Sequence, residues 1–355
     1  MKQVVSLLML VSLSFVLLSC SSYVLKEAYP TLNDGLYDSE FPYKACSQQL
    51  EEIAQTVKRV TIMVHYKTYS FRREDSVRVS DITGDFLDRQ EAYAAYQHHS
   101  TAGTGTVIYK DNSKFALMTC GHVVDFSDTV ITHYVGSDYR TTPFIRSISI
   151  KANQMIFLIN EVGGGIALDV LAFDRTADLA ILGQKIEPQQ STLLKVFSYP
   201  LGRAKELEWG SFVYVFGYPA GYRMVTKGIV SLSARPQGSF VVDAVVSPGA
   251  SGSIALAIRD GVPNFELVGM IKMIPAQTSY VLTPWKDGDV EYDPIEPYRG
   301  DVFVQRKAEI QQGIAVAIPT EAIVAFIEKS RSHLAQQGYD LTSWIRPPKK
   351  ETNTK

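Results

Sequence analysis

Asp243-Ala244-Val245-Val246-Ser247-Pro248-Gly249-Ala250-Ser251-Gly252-Ser253 reads as a strand end running into a tight, glycine-flanked turn with a serine at its apex. A serine hydroxyl is a poor nucleophile at neutral pH. It needs an imidazole to take its proton and a carboxylate to hold that imidazole in the right tautomer. Two upstream stretches carry those residue types. Met118-Thr119-Cys120-Gly121-His122-Val123-Val124 is a strand end turning into a short loop or helix, and Asp174-Arg175-Thr176-Ala177-Asp178-Leu179-Ala180-Ile181-Leu182 is a turn opening a strand. Singly, each has a plain structural explanation: a histidine donor at a strand end, a turn-capping aspartate, a hairpin. Together they give His122, Asp178 and Ser251 in an order with a chemical meaning. The Gly-x-Ser-x-Gly elbow of the α/β-hydrolases is excluded, because Ser253 stands where its second glycine is required.

The surrounding pattern is β. Short apolar segments recur from Val60 to Tyr66, Gly103 to Ile108, Phe115 to Thr119, Ser147 to Lys151, Met155 to Asn160, Ile166 to Phe173, Leu179 to Leu182, Phe212 to Phe216, Gly228 to Leu232 and Phe240 to Val242. Turn signals separate most of them, at Asp111-Asn112-Ser113, Gly163-Gly164-Gly165, Gly217-Tyr218-Pro219 and Pro236-Gln237-Gly238. Many short strands with few helical patterns argue for an all-β barrel or sandwich. Two helices are expected. One starts at Ser47 with Leu50, Ile53, Ala54 and Val57 at helical spacing; the other starts at Pro319-Thr320, buries Ile323, Phe326, Ile327 and Leu334, and ends at Gly338. The stretch from 67 to 100 reads as charged and irregular.

Composition narrows the function. The chain has 355 residues, 46% of them hydrophobic, with a formal net charge of −2. That apolar content is too high for a disordered chain, and no solenoid, propeller or coiled-coil period appears. Near-neutral charge gives no reason to expect nucleic acid as a partner. No CxxC pair or Cys/His cluster suggests a metal, and no cofactor is expected. The N-terminus reads as a leader: Lys2, an apolar run from Val4 to Ser19, then Leu17-Leu18-Ser19-Cys20. This resembles the lipobox of bacterial lipoproteins, with residues 1–19 removed and Cys20 lipidated, which implies a membrane partner through acyl chains. Ser21 after Cys20 leans toward the outer membrane, and the polar, turn-rich residues 20–45 read as a tether. Cys46 and Cys120 remain, as a bridge or as two thiols. Residues 339–355 read as a disordered tail, too short for a further substrate-recruiting domain.

Seven ordered motifs carry a resemblance, running from about Leu50 to Lys329. Gly103-Thr104-Gly105-Thr106-Val107-Ile108, Thr119-Cys120-Gly121-His122-Val123-Val124, Asp178-Leu179-Ala180-Ile181-Leu182, Gly217-Tyr218-Pro219, Val225-Thr226-Lys227-Gly228-Ile229-Val230-Ser231, Asp243-Ala244 with Pro248-Gly249-Ala250-Ser251-Gly252, and Gly313-Ile314-Ala315-Val316-Ala317-Ile318-Pro319 are similar to those of trypsin-like serine peptidases of the bacterial Deg/HtrA type. The resemblance implies two six-stranded antiparallel β-barrels over residues 46–338, divided at about 195/196, with the site between them. It implies Ser251 as nucleophile, His122 as base and Asp178 as its orienting partner. The N–H groups of Gly249 and Ser251 would form the oxyanion hole. Val245, six residues before Ser251, would lie at the base of the substrate pocket, with Thr226, Val268 and Gly269 in its walls. A buried Val cannot offset a Lys or Arg guest, so small or medium apolar residues are expected before the scissile bond of a protein or peptide substrate.

Two departures and two insertions qualify this. Ser253 and Ile254 replace the family's Gly-Pro, and Ala250 replaces Asn or Asp. The segment 275–312 exceeds the family's loop and reads either as a solvated excursion or as a substrate-shaping or gating one; 67–100 lies where relatives carry a regulatory or oligomer-forming loop. The leading expectation is a membrane-anchored endopeptidase acting on exported proteins. The alternatives are a protease-fold scaffold that has lost turnover and, less favoured by the elbow argument, an esterase.

Overall fold

The computed structural model describes residues 32–89, 94–136, 140–159, 165–187, 191–192, 194–231, 238–273, 276–284, 295, 302–310 and 313–346. The leader, Cys20 and most of the tail lie outside the described residues, as do parts of the turns at 163–164 and 236–237. No helix among the described residues is long and apolar enough to cross a membrane.

The chain opens with α1 (Ser47–Ala54) and continues into β1 (Val57–Ser70), whose Val60, Ile62, Val64 and Tyr66 are buried at alternate positions. After α2 (Gly84–Arg89) come β2 (Ala94–Lys110), β3 (Lys114–Cys120), the single-turn α3 (Gly121–Val124), β4 (Thr129–Val135), β5 (Thr141–Ile159), β6 (Gly165–Ala167), β7 (Asp169–Asp174) and β8 (Leu179–Lys185). They form one antiparallel sheet ordered β4-β5-β1-β2-β3-β8-β7, with β6 paired to β5. The second half holds β9 (Phe212–Gly217), β10 (Met224–Ser231), β11 (Phe240–Ala244), β12 (Ile254–Ile258), β13 (Phe265–Met273), β14 (Ala276–Pro284), β15 (Val302–Ile310) and β16 (Ala315–Pro319). Six of these close a barrel, β10-β11-β16-β13-β12-β9, and β14 and β15 form a separate ribbon.

The all-β, two-unit architecture therefore stands, with one correction in count. The second unit is the expected six-stranded barrel; the first is an eight-stranded sheet. The extra length comes from β1, β2 and β5, which run past the core. Residues Ala94–Ser100, expected to be irregular, are the outer half of β2 and pair with β1 from Met63 to Tyr69. Likewise 147–151 and 155–159 are not two strands but parts of β5, bent at the register shift opposite His65 and Tyr66.

The barrel interior is lined by small and β-branched residues, among them Val213, Val215, Val230, Val242, Ala255, Ala257, Ala315 and Ala317, which suits the narrow lumen of a small barrel. The closing helix α4 (Thr320–Gln336) follows the barrel's last strand, yet its Ile323, Phe326, Ile327 and Leu334 pack into the core of the first sheet. Burial of such side chains contributes about 1.5–3 kcal/mol each. Conversely Cys46, Ile53 and Val57 join Phe216, Ile254 and Phe265 against the barrel.

Two segments read as free are not. Tyr37 and Asp38, within the expected tether, are buried. The Asp38 N–H donates to the Ile258 carbonyl at 2.9 Å, and its own carbonyl accepts from the Phe212 N–H at 2.8 Å. The Tyr37 hydroxyl donates to Glu266 at 2.6 Å, and Arg259 lies 4.0 Å over the Tyr37 ring. In the expected tail, Tyr339 and Leu341 are buried, and α5 (Thr342–Ile345) sends the Trp344 indole N–H to the Phe197 carbonyl at 3.1 Å. Cys46 and Cys120 are both buried free thiols rather than a bridge.

Candidate active site

Three strand ends converge between the two units. β3 ends at Cys120, and the next two residues begin α3, which turns His122 out of the core while Val123 and Val124 stay buried. The Asp174–Asp178 turn is shaped by its own side chains. Asp174 accepts from the Thr176 and Ala177 N–H groups at 3.0 Å and from Lys329 of α4 at 2.7 Å. The Lys329 bond, with those turn N–H groups, holds the Asp174 carboxyl below its usual range. Arg175 grips Asp125 with two bonds of 2.7 and 2.6 Å. The turn delivers Asp178 in a left-handed backbone conformation, φ 57°, uncommon for a non-glycine residue.

The geometry that results is a linear relay. The Asp178 carboxylate accepts from the His122 backbone N–H at 2.8 Å and meets Nδ1 at 3.0 and 2.9 Å. On the far side of the ring, Nε2 lies 2.9 Å from the Ser251 hydroxyl. With Nδ1 facing a carboxylate, the favoured neutral tautomer carries its proton there and leaves Nε2 free to accept from Ser251. Sequence-predicted His122, Asp178 and Ser251 are thus brought together.

The loop bearing Ser251 is held by a residue that sequence reasoning missed. Thr104, in β2, is fully buried. Its hydroxyl donates to the Gly249 carbonyl at 2.8 Å and accepts from the Tyr218 N–H at 2.9 Å, while its own N–H donates to the Ser251 carbonyl at 2.8 Å. The signal was there: a polar residue between two glycines in a strand that buries every neighbour from Gly103 to Ile108. Gly249 has φ 97°, and a Cβ there would stand 2.5 Å from the Tyr218 carbonyl oxygen, so the position needs glycine. Gly103 is equally constrained, since a Cβ would stand 2.8 Å from Val123. No hydrogen bond from the Gly249 or Ser251 N–H is formed among the described residues.

The departures from the family pattern leave this geometry intact. Ala250 and Ser253 are both buried, and the Ser253 hydroxyl packs beside Gly217 and 3.4 Å from the Thr104 hydroxyl. The pocket assignments need correction. Val245 is 67% exposed rather than buried. The alternation along β11 explains why: Phe240, Val242, Ala244 and then Val246 point into the barrel, so Val245 points out. Val268 is buried in the barrel interior, and a Cβ on Gly269 would meet the Phe240 ring, so neither lines an open pocket. Thr226 is partly exposed. The part of β13 beside the nucleophile is Ile271, which exchanges bonds with the Gly252 N–H and Ser253 carbonyl at 2.8 and 2.7 Å.

Donor atoms of Cys120, His122 and Asp178 lie within 4.8 Å of one another. Burial, and then the Asp178 charge, push the Cys120 thiol well above its ordinary pKa. A protonated thiol donating to the Ile271 carbonyl at 3.2 Å is a poor metal ligand, so the set fits a proton relay better than a metal centre.

A closed six-stranded barrel facing a β-sheet, with histidine and aspartate from one and serine from the other, has the layout of chymotrypsin-type peptidases. Residues 103–270 match the family described as trypsin-like peptidase domain. By sequence the chain is a homologue of HtrA serine proteases. The serine protease Do-like HtrA of Lactobacillus helveticus is 27% identical over 231 residues, which are 62% of this chain and 47% of that protein. The chain thus spans about half the length of this curated relative. Among solved structures, the HtrA-type protease AlgW with a decapeptide matches with a TM-score of 0.44 at 17% identity, over 81% of this chain and 67% of that one. The serine endoprotease from Yersinia pestis matches with a TM-score of 0.40 at 19% identity, over 82% and 67%.

Proposed function

We propose that the protein is a serine endopeptidase that hydrolyses peptide bonds of exported polypeptides. The observation that carries this reading is the unbroken relay from Asp178 through His122 to Ser251, every link 3.0 Å or shorter. Ser251 Oγ attacks the scissile carbonyl while His122 Nε2 takes its proton; Asp178 holds the ring and offsets the positive charge that forms. The N–H groups of Gly249 and Ser251 donate to the oxyanion of the tetrahedral intermediate. His122 then returns the proton to the leaving amine, and water repeats the sequence on the acyl-enzyme. An apolar preference before the scissile bond belongs to this reading, on a new footing: Thr226 and Val245 are uncharged, so neither pairs with a Lys or Arg guest. The lipobox at Leu17–Cys20 supports an acyl anchor on Cys20, holding the enzyme on a membrane of the cell envelope, with the outer membrane favoured.

The test is labelling of the folded protein by a fluorophosphonate probe. Labelling that disappears in Ser251→Ala supports the enzyme; none in the folded wild type favours the scaffold reading. Incorporation of a palmitate analogue, lost in Cys20→Ala, tests the anchor.

A further inference from the structure

We propose that the β14–β15 ribbon is a docking strand for the substrate chain N-terminal to the scissile bond, taking extended segments with apolar side chains. This rests on the endopeptidase reading and assigns a task to the segment 275–312.

The topology carries the argument. β12 covers one edge of β13 up to the Ile254↔Met270 pair, and the bonds between Ile271 and Gly252–Ser253 are the last on that side. The covering stops beside Ser251. β13 keeps its other partner, Met273↔Val316 on β16, and three residues later Ala276 pairs with Ile310. The ribbon therefore continues the β13–β16 pair outward from the barrel. β14 has β15 on one edge and no strand on the other among the described residues. That edge begins five residues after Ile271, which bonds to Gly252 and Ser253, and runs for nine residues, about 30 Å at the usual rise. β14 runs away from Ser251, so a strand added antiparallel to it runs toward Ser251. Its residues then precede the bond to be cut.

The ribbon also lacks what a ribbon needs. Two strands alone are marginal in water, and this pair shows solvent an apolar face. Tyr280 is 73% and Leu282 68% exposed, and Val304 and Val302 lie opposite Leu282 and Pro284 on the same face, also exposed. An exposed edge with exposed apolar residues is an aggregation hazard unless something uses it. An unfolded polypeptide satisfies both deficits: its backbone pairs with the edge, and its alternate side chains cover the apolar face.

Full-length Ser251→Ala, alone and combined with Tyr280→Ser/Leu282→Ser, is titrated with a fluorescent, reduced and alkylated polypeptide. The expected result is binding weakened about tenfold by the double change. With Ser251 restored, kcat/KM on that polypeptide falls by a similar factor relative to kcat/KM on a tetrapeptide amide too short to reach β14. Unchanged binding overturns the proposal. So does an equal loss on the tetrapeptide, or loss of a homo-oligomer by light scattering with polypeptide binding intact, which would make the face a contact between copies. Because the binding arm needs no turnover, an inert triad and a failed docking strand give different results.

Discussion

Thr104→Val removes one hydroxyl from a buried site and leaves the shape almost unchanged. Two groups lose their partner, the Gly249 carbonyl at 2.8 Å and the Tyr218 N–H at 2.9 Å. Each buried group left unpaired costs about 1–3 kcal/mol. The Ser253 hydroxyl, 3.4 Å from the lost oxygen, can turn to replace one of them in part, so a total near 3 kcal/mol is expected. Part of it appears as stability, read as a lower urea midpoint at unchanged slope. The rest appears in catalysis, because the Gly249 carbonyl belongs to the loop that aims the Gly249 and Ser251 N–H groups. Loss of one oxyanion donor costs roughly 100- to 1,000-fold in kcat, and a loosened rather than deleted donor is expected near the lower figure. The assay is kcat on a peptide amide beside the rate of fluorophosphonate inactivation, with Thr104→Ser as the control that keeps the hydroxyl. Thr104→Val with kcat within about threefold of wild type, on protein that has lost stability, would refute the clamp and leave Thr104 a packing residue.

Other perturbations separate the parts of the site. Gly249→Ala forces a Cβ into the Tyr218 carbonyl at a positive φ, and is expected to lower kcat by at least about 100-fold while kcat and inactivation rate fall together. Asp178→Asn keeps the shape but lets the amide favour the wrong imidazole tautomer; a loss of roughly four orders of magnitude in kcat is expected, with peptide binding to the folded variant retained. Asp38 is pushed up to about 6, chiefly by burial and against the Gly261 N–H bond. Its folded pKa exceeds the unfolded value, so its favourable contribution is present below about pH 4 and is lost as pH rises through 6. Asp38→Asn is therefore expected to narrow the drop in Tm between pH 5 and pH 7.5, and an identical drop in both proteins would count against the assignment.

The relay was legible because His122 follows and Asp178 precedes a short apolar run and Ser251 sits in a glycine-flanked turn, and because its chain order has few structural explanations once the nucleophile elbow is excluded. What escaped had physical reasons. The outer half of β2 lies beyond the core, so nothing enforces alternation there and His98, His99 and Ser100 read as loop. β12 is an unbroken buried run, Ile254-Ala255-Leu256-Ala257-Ile258, which has no periodicity to detect. Val245 was misplaced because counting back from Ser251 fixes a position along the chain but not the side of the strand its side chain takes. Tyr37 and Asp38 hold the N-terminal segment through two residues, too few to leave a pattern. Thr104 needed knowledge of which loop crosses beneath it, which no local reading supplies.

The exchange of ends between the two units bears on how the molecule moves and melts. α1 packs its Ile53 against the barrel's Phe216, Ile254 and Phe265, although it precedes the first sheet, and α4 enters the sheet's core, although it follows the barrel. Each unit is completed by a piece that the sequence assigns to the other, so a fragment ending at residue 195 lacks the wedge that seals its own hydrophobic interior. The two are expected to lose structure together, in a single calorimetric transition, and not to swing as jaws about a linker. The side chains around Ser251, drawn from both units, are accordingly expected to keep their spacing up to that transition.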